Sequence, residues 1–192
     1  LIRRVQAHKG VTFKMLLPAK YPILEALESG EADLALGVSP TNQPDLRWED
    51  LTPTELYVIA RKGHPRIDGA VTLTDLQECS HAVMDMSPGA LANSHLFTLA
   101  NRLERHDAVR VTRPSSVIEI VANTDLVGFA NRIQVALSPY RDKLQVLTPP
   151  REASSQHFRM TWHHRNDADP GLVWLRGEIR AIMTEVREEL GI

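Results

Sequence analysis

A histidine at a turn, serines ahead of apolar runs and a lone thiol are the residues whose types could do chemistry in this chain. His64 precedes Pro65 in Arg61-Lys62-Gly63-His64-Pro65, where an apolar run meets a turn. An imidazole there either shapes the turn or donates a hydrogen bond to a bound acid or phenol. Ser115 and Ser116 follow Pro114 and precede Val117-Ile118. At least one of them is expected to cap a helix, and a helix start also presents free N–H groups that favour a carboxylate. Ser87-Pro88-Gly89 ahead of Ala90 repeats the arrangement. Two such helix starts facing one cleft would make an anion site without any arginine.

Other candidates lead elsewhere. Cys79 lies near His81, but alternate residues of a strand diverge, so a thiolate and its base would not meet; Cys79 reads as a small buried hydrophobe. His163 and His164, with Asp167 and Asp169, suggest metal ligands by type and not by spacing. Neighbours on a strand point apart, and Asp167-Ala168-Asp169-Pro170-Gly171 is better explained as a turn and helix cap. No metal or cofactor is expected. The chain has no Gly-rich phosphate loop and no GxSxG nucleophile elbow, and no base is paired with a nucleophile or second carboxylate.

The elements that must position these residues alternate between short apolar runs and amphipathic stretches, as in a parallel-rich α/β sheet. Strands are expected at Val11 to Met15, Asp33 to Val38, Leu56 to Arg61, His81 to Asp85, Val109 to Arg113, Leu126 to Ala130, Leu144 to Leu147 and His157 to His163. Helices are expected at Tyr21 to Ser29 with Gly30 as the stop, Ala90 to Arg105, Ser116 to Asn123 and Arg132 to Leu137. In the last helix Asp169 is placed to cap and Pro170 takes the first turn. Leu175, Ile179, Ile182, Val186 and Leu190 form its apolar stripe.

With 192 residues, 43% hydrophobic and 24% charged, the composition is that of a globular chain long enough for a sizeable core. The formal charge of −2 offers no excess of cations for gripping nucleic acid. Every apolar run falls short of the ~18 to 20 residues of a membrane span, and the first residues do not resemble a signal peptide. One cysteine forms no internal disulfide, so a reducing cytosol is the default compartment. The turns at Gly63-His64-Pro65 and Thr148-Pro149-Pro150 suggest two crossings between lobes. Residues 1–62 with 151–192 would then form one discontinuous lobe and 63–150 the other, with a ligand held between them.

Several stretches, taken in order, resemble the effector-binding region of LysR-type transcriptional regulators. They are Leu27-Glu28-Ser29-Gly30-Glu31-Ala32-Asp33-Leu34-Ala35-Leu36-Gly37, Gly63-His64-Pro65, Leu73-Thr74-Asp75-Leu76, Thr124-Asp125-Leu126-Val127 and Trp162-His163-His164-Arg165. The first is similar to the family's LxxGxxDLAI passage. The ending, Asp169-Pro170-Gly171-Leu172-Val173-Trp174-Leu175-Arg176, resembles the subgroup of nodulation and aromatic-catabolism regulators. The resemblance covers essentially the whole chain. It departs from the family at Asn131, where a proline is usual.

The resemblance implies a periplasmic-binding-protein-like (type II) fold of class α/β, with two lobes hinged by crossing strands. It implies a cytoplasmic, non-catalytic sensor that works as a dimer or tetramer. Such a sensor binds a small effector, an aromatic or other carboxylic acid, and passes the change to an N-terminal helix-turn-helix that contacts DNA. Leu1 to His8 resembles the second half of the family's first effector-domain helix, so the helix-turn-helix and the first strand of the first lobe are expected outside this chain. Carried over position by position, the effector-binding residues are His64, Ser87, Ser116, Thr161, His163, Ser39 and Phe129. Thr161 and His163 would face one side of the returning strand, and Phe129 serves as an aromatic wall or as core. A solute-binding protein of a transporter shares this fold and is the rival reading, ahead of an enzyme on the same scaffold and a purely structural interaction domain.

Overall fold

The computed structural model describes residues 1–5, 8, 10–16, 23–37, 43–85, 104–150 and 156–191. In chain order the described elements are α1 (Ile2–Val5), α2 (Ile23–Ser29), β1 (Ala35–Gly37), β2 (Leu46–Thr54), β3 (Leu56–Arg61), α3 (Leu73–Glu78) and β4 (Ser80–Met84). Then come β5 (His106–Val111), α4 (Pro114–Ala122), β6 (Gly128–Asn131), α5 (Arg132–Ala136), β7 (Leu144–Leu147), β8 (Gln156–His163) and α6 (Pro170–Leu190). Two compact units result, one of Leu1–Pro53 with His157–Ile192 and one of Thr54–Gln156. β3 belongs wholly to the second unit because both of its edges are hydrogen-bonded there. Among the described residues no helix is long and apolar enough to cross a membrane.

In the first unit β8 is the central strand of the order β1-β8-β2, antiparallel to β1 with Ala35 opposite Thr161. Phe158, Met160 and Trp162 alternate along β8 and so share one face, which packs with Leu51 against Leu175, Ile179 and Met183 of α6. α6 begins as its sequence predicts. The Asp169 carboxylate accepts from the Leu172 N–H at 2.9 Å, Pro170 occupies the first turn, and Gly191 ends the helix in the left-handed region at φ 64°. Gly30 likewise stops α2 at φ 82°, a backbone conformation that glycine adopts without steric cost.

In the second unit β3 lies between β6 and β7 and runs antiparallel to both. β4 pairs parallel with β5 and touches Val127 through a parallel bridge. The described pairings are therefore mixed, where the alternating pattern of the sequence suggests a parallel-rich sheet. Apolar content marks a strand as buried and is silent on its direction. Both faces of β3 are covered. Ile59 joins Val117, Ile118, Val121 and Val135 on one side, while Val58 and Ala60 join Ile67, Val71, Leu76 and Leu147 on the other. That accounts for its unbroken apolar run.

Two sequence expectations fail or fall outside the described residues, and two elements appear that none foretold. Residues 11–16 carry no regular structure where a strand is expected. β2, a strand of nine residues, is absent from the expected strands, since its charged residues and Pro53 interrupt any apolar run. The helix expected at Ala90 to Arg105 lies almost wholly outside the described residues. α3 also goes unmarked by the apolar pattern, yet it starts with a full capping box. The Thr72 hydroxyl accepts from the Asp75 N–H at 3.1 Å, and the Asp75 carboxylate accepts from the Thr72 N–H at 2.9 Å.

α4 rests on the sheet at Gly128. A methyl group there would stand 2.8 Å from Val117 Cγ1, and 3.2 Å from both Val121 Cγ2 and the Ala82 carbonyl oxygen. Gly128→Ala should therefore destabilise the chain by about 1–3 kcal/mol through overpacking. Urea unfolding checks this, and adding Val117→Ala should return part of the loss.

A second expectation concerns acid. The Thr72 hydroxyl and N–H, then the Arg66 guanidinium, hold the Asp75 carboxyl down to about 2. Its contribution is complete above the ordinary aspartate value of ~3.9 and is lost as pH falls toward about 2. Asp75→Asn should cost about 1 kcal/mol at neutral pH and flatten that acid limb, as urea midpoints taken down the pH range would show.

Candidate functional site

His64 is buried, and both of its ring nitrogens are engaged within the protein. Nδ1 accepts from the N–H groups of Arg66 at 3.2 Å and Ile67 at 3.1 Å, so Nε2 carries the proton and donates to the Asp125 carbonyl oxygen at 3.0 Å. Arg61 reinforces the same joint, with Nε donating to Asp125 Oδ1 at 2.6 Å and a further N–H to the Lys62 carbonyl at 3.1 Å. The imidazole thus holds the Gly63-His64-Pro65 turn to the loop ahead of β6. Of the two readings open in the sequence, the observed hydrogen bonds are those of the turn-shaping one.

Ser115 and Ser116 are not caps. Pro114 takes the first helical position of α4, where its missing N–H costs nothing and its fixed φ fits the first turn. The cap position therefore falls on Arg113, extended at φ −125° and ψ 135°, which makes no side-chain capping bond. Ser116 sits half-buried in the first turn, its own N–H on the Arg113 carbonyl at 3.1 Å. The other residue assigned to this unit's part of the site, Phe129, packs against the cluster around Val58 and Leu76. Its ring stacks on His81 at 6.2 Å between centroids.

In the first unit Thr161 is 1% exposed in the middle of β8. His163, two residues on, ends the strand half-buried, and its Nδ1 accepts from the Arg165 N–H at 3.2 Å. Partial desolvation, together with the Arg165 and His164 charges, pushes the His163 imidazole below its ordinary value. Ser39 and Ser87 lie outside the described residues. The residues named for a metal are otherwise occupied. Asp169 caps α6, Asp167 Oδ1 accepts from Trp162 Nε1 at 2.7 Å, and no group of three possible ligands occurs among the described residues.

Two arginines that sequence reasoning did not single out organise this unit. Arg165 Nη1 donates to the Glu28 carbonyl at 2.8 Å and Nη2 to the Leu27 carbonyl, closing the C-terminal end of α2. Arg176 is buried against the Trp162 ring at 4.5 Å, donating to the carbonyls of Asn166 at 3.1 Å and Asp167 at 2.7 Å. Both lie inside the stretches that resemble the LysR-type regulators, which is the signal that could have found them.

A seven-residue helix does not hold itself together in water, so α2 depends on this arginine. Arg165→Ala should cost about 2 kcal/mol and speed amide exchange across Ile23–Ser29 while leaving α6 protected. Arg165→Lys should recover only part of the loss, because a point charge cannot reach both carbonyls as a fork does.

Comparison with known proteins adds what geometry alone does not. Residues 1–184 match the family described as LysR substrate binding domain. The transcriptional regulator PhcA of Ralstonia nicotianae is 29% identical over 167 residues, covering 83% of this chain and 48% of that protein. This chain spans about half the length of the curated relatives it matches. Among solved structures, a putative transcriptional regulator from Vibrio parahaemolyticus superposes with a TM-score of 0.75 at 24% identity, covering 97% of this chain and 87% of that one. The regulatory domain of CcmR from Synechocystis PCC6803, solved in complex with 2-PG, gives 0.71 at 15% identity, covering 94% and 88%. These two likenesses establish the shared two-lobe, periplasmic-binding-protein-like α/β fold.

Proposed function

Because this chain belongs to the LysR substrate binding domain family, we propose that it is the effector-sensing part of a cytoplasmic bacterial transcriptional regulator. It binds a small carboxylic acid, aromatic or otherwise, without turning it over. The observation that carries this reading is the family match over residues 1–184. The naming of PhcA as a transcriptional regulator and the capture of the CcmR regulatory domain with 2-PG point the same way.

In this reading the two compact units take the part of the family's two lobes. Ser116, Thr161 and His163 contact the effector with Ser39 and Ser87, and Phe129 contributes apolar surface. His64 acts chiefly by fixing the turn it stands in, since a ligand contact would have to displace one of its three hydrogen bonds. The chain works as a homo-oligomer, and DNA contact belongs to another region of the regulator, because a net charge of −2 offers no phosphate-neutralising surplus. An effector switches such a protein only through differential affinity for two conformations, each factor of ten being worth ~1.4 kcal/mol.

The test is a thermal-shift screen of this chain against aromatic and aliphatic carboxylic acids, followed by calorimetry on any hit. A ligand at 100 times its Kd stabilises the folded state by ~2.7 kcal/mol, so one chemical class should give a selective, saturable shift. Ser116→Ala and Thr161→Val should each weaken that ligand about tenfold, ~1.4 kcal/mol, with far-UV spectra unchanged. Unaltered affinity in both variants would remove these two residues from the site, and no shift from any acid would overturn the carboxylic-acid assignment.

A further inference from the structure

His81 stands in β4 with no exposed surface, and its two ring nitrogens are treated unequally. Nε2 lies 2.6 Å from the Leu76 carbonyl oxygen, so it carries the proton and donates. Nδ1 is then an acceptor, and this buried atom has no hydrogen-bond partner among the described residues. Folded proteins rarely leave such a group unpaired. On one flank the Phe129 ring stacks on the imidazole, and Val127 is the bridged residue beside it.

The other flank holds the complement. His81 and Asp107 are register partners across the parallel pair β4 and β5, so their side chains leave the same face of the sheet. Asp107 Oδ1 accepts from Arg105 Nε at 2.7 Å, and Oδ2 accepts from Arg110 Nη2 at 2.7 Å. Arg105 Nη1 is likewise buried and without a partner among the described residues. The unpaired acceptor thus belongs to the register partner of Asp107 and the unpaired donor to its ion-pair partner, where the ladder also shifts register between His81 and Ala82. Burial first, and then the Arg105 charge, hold the imidazole below its ordinary value against the Leu76 carbonyl and Asp107, which keeps Nδ1 an acceptor.

We propose that His81 Nδ1 and Arg105 Nη1 together form a binding site for one hydroxyl-type oxygen, which donates its O–H to the imidazole and accepts from the guanidinium. The two orphans select that chemistry. A carboxylate accepts from the arginine but has no proton for Nδ1, and an ammonium donates to Nδ1 but cannot accept from Nη1. Water satisfies both, and so does the hydroxyl of an alcohol or phenol. The site adjoins Phe129, whose ring stacks on His81, but shares no polar residue with the acid-binding set named above.

The experiment is solution NMR on the whole 192-residue chain with 15N-labelled histidine. The expected result without any additive is a Nδ1 resonance displaced from that of a free imine nitrogen, with a cross-relaxation peak from a long-lived water to the His81 ring proton. Arg105→Met keeps much of the aliphatic stem and should abolish that peak and return Nδ1 to the free value, while the Nε2–H signal reports that the ring and fold are retained. Phenol separates the two sources. If it expels the water and shifts Nδ1, the site takes a ligand hydroxyl; if neither signal moves, the oxygen is a structural water. A wild-type ring showing neither the water peak nor a response to phenol overturns the proposal without recourse to the variant.

Discussion

Helices of four to nine residues do not persist in water on their own, and every described helix before α6 is that short. The structure therefore depends on how their end groups are satisfied and where their faces are pinned. Each case has a separate solution. α2 borrows the guanidinium of Arg165 from the far end of the chain, α3 closes on its own Thr72–Asp75 box, and α5 on an equivalent Asn131–Gln134 box. α4 has no side-chain cap and is held by depth, its valines set directly on the backbone at Gly128. The Asn131 that departs from the family pattern has a local physical role here as the cap of α5.

What the sequence made legible follows from the same constraint. β3 and β7 have the bounds their apolar runs imply, and Asp169-Pro170 marks the start of α6 to the residue, because burial and capping are local demands on residue type. β2 was illegible because most of its side chains are exposed or half-buried, so charge and proline cost it little. Strand direction was illegible because it depends on where the chain returns from. Ser115 and Ser116 were misplaced by a competition between two local rules: a serine before an apolar run is a good cap, but a proline one residue earlier claims the first turn and moves the cap to Arg113.

The site was legible only as a set of residue types. His64 has the right chemistry for an acid or a phenol, and its lone pair and proton are spent on Arg66, Ile67 and Asp125. No periodicity could have shown that, because the partners lie on a turn and a loop sixty residues apart. His81 is the reverse case. The sequence dismissed it as the neighbour of an inert thiol, and burial beside Arg105 and Asp107 makes it a polar atom with an unmet demand.

The stretches that carry the family resemblance turn out to be joints. Arg165 of Trp162-His163-His164-Arg165 reaches the carbonyls of Leu27 and Glu28 at the start of the Leu27–Gly37 passage, and the space above Gly30 is where a side chain would meet that guanidinium at 3.3 Å. Arg176, in the ending that resembles one subgroup, lies over Trp162 and holds the carbonyls that follow it. Each of these residues is constrained by the backbone carbonyls it holds. A likeness built on them therefore marks the framework of the fold, which these carbonyl contacts fix.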